Sequence, residues 1–98
     1  MKYVILSADN ELKVYLVPDY LAESRRSFEK RCLDFSMNIV HDRIQAQGKD
    51  WYNEQDFIDC LNEEVCTEEK CVFVETLGWD VKKKKWPEKY RKCYWVNF

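Results

Sequence analysis

Few residues in this chain can do chemistry, and their spacing limits what they can do. A cysteine nucleophile needs a histidine within hydrogen-bond reach to take its proton. The chain has five cysteines (Cys32, Cys60, Cys66, Cys71 and Cys93) and a single histidine, His41. Cys32 and His41 fall in what reads as one helix, at a spacing that turns them about 180° apart, so they cannot meet. A zinc site wants closely paired ligands. Cys60, Cys66 and Cys71 are instead spread over a helix end and a strand start. Cysteines on or beside apolar stripes behave as small hydrophobes, so structural thiols are the expectation, with no metal and no cofactor.

The carboxylates suggest no more. Asp56, Asp59 and Glu63 repeat at helical spacing and should form one exposed row. Solvated carboxylates keep ordinary pKa values and make poor acid–base pairs. There is no glycine-rich phosphate loop, no G-x-S-x-G and no H-E-x-x-H. The expectation is a protein that is not an enzyme.

The most suggestive patch is segment 82–95. Lys82, Lys83, Lys84 and Lys85 lead into Trp86, Lys89, Tyr90, Arg91, Lys92, Tyr94 and Trp95. Bases for phosphates and rings for stacking are what single-stranded nucleic acid needs. The bland alternative is a solvated loop whose aromatics are core anchors. A net charge of −2 favours the bland reading. So does the dominance of lysine over arginine, which weakens base readout.

These residues must be positioned by a small scaffold. Ninety-eight residues make one domain on size alone, spanning 1–98, and 46% apolar residues suit a globular core. No apolar run is long enough to cross a membrane. The opening Met1–Ala8 run is too short for a signal peptide and reads as a strand. With no export signal, reduced thiols in a cytoplasmic setting are expected.

Tyr3 to Ala8 and Leu12 to Val17 are rich in β-branched and aromatic residues around the turn Asp9-Asn10-Glu11, which predicts a β-hairpin. Alternation puts Val4 and Leu6 on one face of the first strand, and Leu12, Val14 and Leu16 on one face of the second. The opposite side is expected to carry Tyr3, Ile5, Tyr15 and Val17. A long helix follows from about Asp19, its N-cap, to Ile44. One stripe holds Leu21, Phe28, Cys32, Phe35 and Ile39; a second holds Leu33, Met37, Val40 and Ile44. Gly48 suits the chain reversal after it. Asn53 caps a second helix running to about Val65, with Phe57, Ile58, Leu61 and Val65 as its apolar face and Cys60 on the flank. Cys71 to Leu77 predicts a third strand, ended by Gly78. Val72, Phe73 and Val74 make it apolar on both faces, so it reads as internal or well covered. Trp86-Pro87-Glu88 predicts a helical turn, and Cys93 to Phe98 a fourth strand or an extended latch. The seven acids from Glu54 to Glu69 and the seven bases from Lys82 to Lys92 should lie near each other and pair.

The opening Ser7–Asp19 and the closing Pro87–Phe98 resemble an uncharacterised family of small proteins from gut-associated bacteria. Asn53–Phe57 and Val74–Trp79 fit the same resemblance. It implies a bacterial cytoplasmic setting and supplies no activity and no site.

The combined expectation is an α+β protein in the order β-β-α-α-β, with a C-terminal aromatic tail that adds a strand or covers the sheet. The sheet should be mainly antiparallel, with the helices on one face and the tail on the other. The function expected is that of a non-enzymatic interaction or regulatory protein, partnered by another protein or by itself as a homodimer. Its surface would be Leu33, Met37, Val40, Ile44, Trp86, Tyr90, Tyr94 and Trp95. The alternative is single-stranded nucleic-acid binding through Lys82, Lys83, Lys84, Lys85, Arg91 and Lys92.

Overall fold

A computed structural model describes residues 1–7, 10–36, 45–46, 48 and 53–97. Among the described residues the chain is a mixed α+β fold, with a four-stranded sheet and two principal α-helices. Strands β1 (Lys2–Ser7) and β2 (Glu11–Val17) form the hairpin. Helices α1 (Arg25–Asp34) and α2 (Glu54–Glu64) follow, then β3 (Val72–Trp79) and β4 (Tyr94–Asn97). Strand order across the sheet is β3-β2-β1-β4. The β1–β2 and β2–β3 pairs are antiparallel, and β4 returns parallel to β1. Residues 93–98 were expected as a strand or a latch; Tyr94–Asn97 is the strand.

The hairpin register corrects the expected faces. Val4 pairs with Tyr15 and Ile5 with Val14. Directly paired residues share a face, and this register matches even positions of β1 with odd positions of β2. So Val4, Leu6, Tyr15 and Val17 face one way, and Ile5, Leu12 and Val14 the other. Tyr15 therefore lies apart from Tyr3 and Ile5. The turn places Asn10 at φ 69°, a left-handed position that asparagine tolerates.

Each face has its own core. Val4, Leu6, Tyr15 and Val17 pack with Phe28, Cys32 and Phe35 of the first helical region and with Phe57, Ile58, Cys60 and Leu61 of α2. Ile5, Leu12 and Val14 pack with Trp86 and Tyr90. The helices thus cover one face and the aromatic tail the other. The acidic α2 and the basic segment 82–92 consequently lie on opposite sides of the sheet, against the expectation that they sit together. At least one of those acids pairs elsewhere: Glu54 bonds Lys13 of β2 at 2.9 Å.

The first helix starts later than expected. Asp19–Leu21 is a separate 3₁₀ turn, and Ser24 is the N-cap, its hydroxyl accepting from the Ser27 N–H. Asp19 instead meets the N-terminal ammonium at 2.9 Å. The first stripe is buried as expected at Leu21, Phe28, Cys32 and Phe35; Ile39 lies outside the described residues. Helix α2 has the expected cap. Asn53 accepts from the Asp56 N–H, and the Asp56 carboxylate accepts from the Asn53 N–H. This reciprocal capping box explains why Asp56 is buried and does not join an exposed row with Glu63.

Candidate interaction surface

Strand β3 is an edge strand, not an internal one. Its sequence is apolar on both faces because two irregularities let it serve both. The register skips Val74 between the Tyr15–Phe73 and Val14–Glu75 pairs, and Leu77 between Lys13–Thr76 and Leu12–Gly78. Each extra residue is a bulge. Val74 and Leu77 turn into the tail-side core, where both pack. Phe73 and Trp79, paired with Tyr15 and Glu11, stay on the helix side. Phe73 meets the Tyr15 ring edge-on at 5.6 Å. Gly78 lies inside this strand, at φ 125°, a conformation that favours glycine. A β-carbon there would also come within 3.0 Å of the Val81 side chain.

The outcome is an eight-residue edge carrying large apolar groups. Val72 is 50% exposed, Phe73 47% and Trp79 62%. The strand contains no lysine and no proline to blunt it; its two bulges are the devices against pairing that it does carry. Unpaired backbone groups along such an edge are a template for another strand.

The ground beneath this edge is polar and fixed. The Lys13 ammonium reaches Glu54 at 2.9 Å and Glu11 at 3.2 Å. Glu54 is fully buried. Burial pulls the Lys13 pKa down, but hydrogen bonds and charge from Glu54 and Glu11 outweigh it, and the net shift is upward. The Tyr15 hydroxyl donates to Gln55 Oε1 at 3.0 Å, tying β2 to the first turn of α2.

The tail residues divide. Trp86 and Tyr90, expected on an interaction surface, are buried anchors. Trp86 Nε1–H donates to the Val81 carbonyl at 3.0 Å, and its ring meets Trp95 edge-on at 5.4 Å. The Tyr90 hydroxyl donates to Glu75 at 2.6 Å. Its pKa is pushed up to about 12 by burial and then by Glu75. Tyr94 is half-buried and lies under Lys2 and Arg25. Trp95 is exposed along one side, its Nε1–H donating to Ser7 Oγ at 3.1 Å. Lys82, Lys83, Lys84, Lys85 and Lys92 are exposed. Arg91, also exposed, spends its guanidinium on the Trp86 and Lys84 carbonyls. The basic stretch is therefore a charged rim from which its own two central rings have been withdrawn.

On the first helix, Leu33 is half exposed, as a residue off the core stripe should be. Met37, Val40 and Ile44 lie outside the described residues, as does His41. All five cysteines are free thiols. Cys32, Cys60, Cys66 and Cys71 are buried, and burial pushes the Cys32 and Cys71 thiols up, Cys71 to about 12. Among the described residues no three His, Cys, Asp or Glu side chains gather as a metal site, and no helix is long and apolar enough to cross a membrane.

Val72, Phe73 and Trp79 were not expected at a surface. The local signal, apolar residues on both faces, fits an internal strand equally well. Compared with protein-family models, curated proteins and solved structures, the chain matches none.

Proposed function

We propose that this chain is a small non-enzymatic interaction or regulatory protein that associates with a second copy of itself through the free edge of β3. The observation that carries this reading is the open edge with half-exposed Val72 and Phe73 and a largely exposed Trp79. A second copy suits it for a geometric reason. Antiparallel pairing of one edge with its twin has a two-fold axis normal to the sheet, which keeps the helix faces on the same side. Phe73 and Trp79 both stand on that side, near opposite ends of β3. Two-fold pairing brings Phe73 of each copy towards Trp79 of the other, within reach of cross-strand aromatic contact. The same pairing sets the Lys70 end of one strand beside the Asp80 end of its twin. We place the protein in the bacterial cytoplasm, on its free thiols and the resemblance described above.

Sedimentation across a concentration series tests this. A monomer–dimer equilibrium is expected, weakened at least about a hundredfold by the double substitution Phe73→Lys, Trp79→Lys. Two symmetry-related Phe73–Trp79 contacts at about 1.5 kcal/mol each would give that loss. A strictly monomeric wild type, or a dimer indifferent to the two lysines, would overturn the reading.

Nucleic-acid binding is the second reading, supported by the exposed lysines of segment 82–92. Burial of Trp86 and Tyr90 leaves Trp95 as the exposed tryptophan of segment 82–95, beside Lys82. A titration with single-stranded RNA at two salt concentrations decides it. Replacing Lys82–Lys85 by alanine must flatten the salt slope if this reading is correct.

A further inference from the structure

The two buried thiols that bracket the turn between α2 and β3 form a pair. Cys66 Sγ and Cys71 Sγ are 3.8 Å apart, with the Cys71 thiol directed at Cys66. Their backbones are held independently. The Cys66 N–H donates to the Leu61 carbonyl at 2.7 Å. The Cys71 N–H donates to Asn62 Oδ1 at 2.7 Å, and Asn62 Nδ2 donates back to the Cys71 carbonyl at 3.2 Å. Helix α2 and strand β3 thus present the two sulfurs to each other before any bond joins them. Closing the gap to a disulfide needs a movement of about 2 Å. The remaining thiols lack this arrangement: Cys60 donates to Glu64 and Cys93 to the Lys89 carbonyl.

We propose that Cys66 and Cys71 are a thiol–disulfide exchange site, forming an intramolecular disulfide with low-molecular-weight disulfides and released by thiols. In the first step the Cys66 thiol loses its proton and its sulfur attacks one sulfur of the reagent. The reagent's S–S bond breaks, and its first half leaves as a thiolate that takes up a proton. In the second step Cys71, deprotonated, attacks Cys66 Sγ in the mixed disulfide, and the second half leaves as a thiol. The protein loses two hydrogens and two electrons; the reagent is reduced to two thiols.

The way in is the turn itself. Thr67, Glu68, Glu69 and Lys70 are all exposed. A cleft of about 190 Å³ opens beside them, lined by Tyr20, Val65, Thr67, Glu68 and Glu69. The half-exposed Tyr20 forms one wall of this cleft. Local opening of this short turn uncovers the sulfurs without unfolding either core, so oxidation should be slower than at an exposed thiol but complete. The high pKa of Cys71 slows the second step further.

The site does not depend on pairing at β3. Native protein is incubated with oxidised glutathione, its free thiols are then alkylated, and intact mass and peptide maps are read. The expected product has lost 2 Da, retains three alkylatable cysteines and yields a peptide linked through Cys66 and Cys71. Dithiothreitol should restore five thiols. Cys66→Ser and Cys71→Ser should each abolish the 2 Da loss, while Cys93→Ser should leave it intact. Five free thiols after long incubation, a link through Cys32, Cys60 or Cys93, or a disulfide-linked dimer would each overturn the assignment. The wild-type map decides the matter even if one serine variant fails to fold.

Discussion

The two edges of the sheet are treated differently. The β4 edge is four residues long, and its rings are engaged: Tyr94 beneath two cations, Trp95 on Trp86 and Ser7. The β3 edge is twice that length and leaves Val72, Phe73 and Trp79 uncovered. Short edge strands with occupied side chains resist further pairing; long ones with free apolar groups invite it. Aromatic content does not separate the two edges, since both are rich in it. What separates them is strand length and the exposure of the outermost ring, 62% for Trp79 against 41% for Trp95.

Substitutions at the two edges should therefore separate monomer stability from association. The largest stability effect is expected beneath the closed edge. Trp86→Ala removes a fully buried ring that supports Trp95 and should cost about 4 kcal/mol, seen as a collapse of the thermal midpoint. Trp79→Ala, on the open edge, should cost the monomer within about 0.5 kcal/mol while weakening the dimer. If the two cost the monomer alike, the contrast between the edges fails.

Next is Lys13→Met, which takes the cation from buried Glu54 under the β3 edge. About 3 kcal/mol of destabilisation is expected in urea titration. A neutral result would mean that the polar ground beneath β3 does not hold it in place.

Tyr90→Phe comes third, at about 1.5 kcal/mol, because it strips a charge-assisted hydrogen bond from Glu75 on β3. It carries a pH signature. The Tyr90 pKa is raised in the folded chain from 10.0 to about 12. Between those values the folded state keeps a proton that the unfolded state loses. The stabilisation is complete below pH 10 and declines as pH rises through the window. Unfolding free energies from pH 9 to 12 should fall less steeply in Tyr90→Phe than in wild type. The smallest effect is expected from Trp95→Phe. It loses the bond to Ser7 Oγ and trims the ring that meets Trp86, about 1 kcal/mol by thermal melt, and should leave association unchanged.

The elements were largely legible because their signals are local. The hairpin, the Asn53 cap, the apolar face of α2 and the Phe28–Cys32–Phe35 stripe follow from periodicity and from capping chemistry acting over three or four residues. The start of α1 differs from the expectation because Asp19 has the residue type of a cap but heads only a 3₁₀ turn after Pro18, whereas Ser24 caps the α-helix. The candidate surface was far less legible. Trp86 and Tyr90 looked like surface rings because they sit among lysines. Val72 and Phe73 looked like core because they sit among apolar residues. In each case the neighbours in sequence gave the wrong environment.

By itself, then, the sequence determined the kinds of element, their order and most of their internal apolar faces. It also placed Cys32 and Cys60 on or beside apolar stripes. Only the tertiary structure decided strand order, the parity of the hairpin faces, the bulges at Val74 and Leu77, and the meeting of Cys66 with Cys71. The physical reason is range. Helix caps and side-chain alternation are fixed by contacts a few residues apart. Which strand stands at an edge, and which thiol faces another, depends on how far-separated segments pack, and no local pattern encodes that.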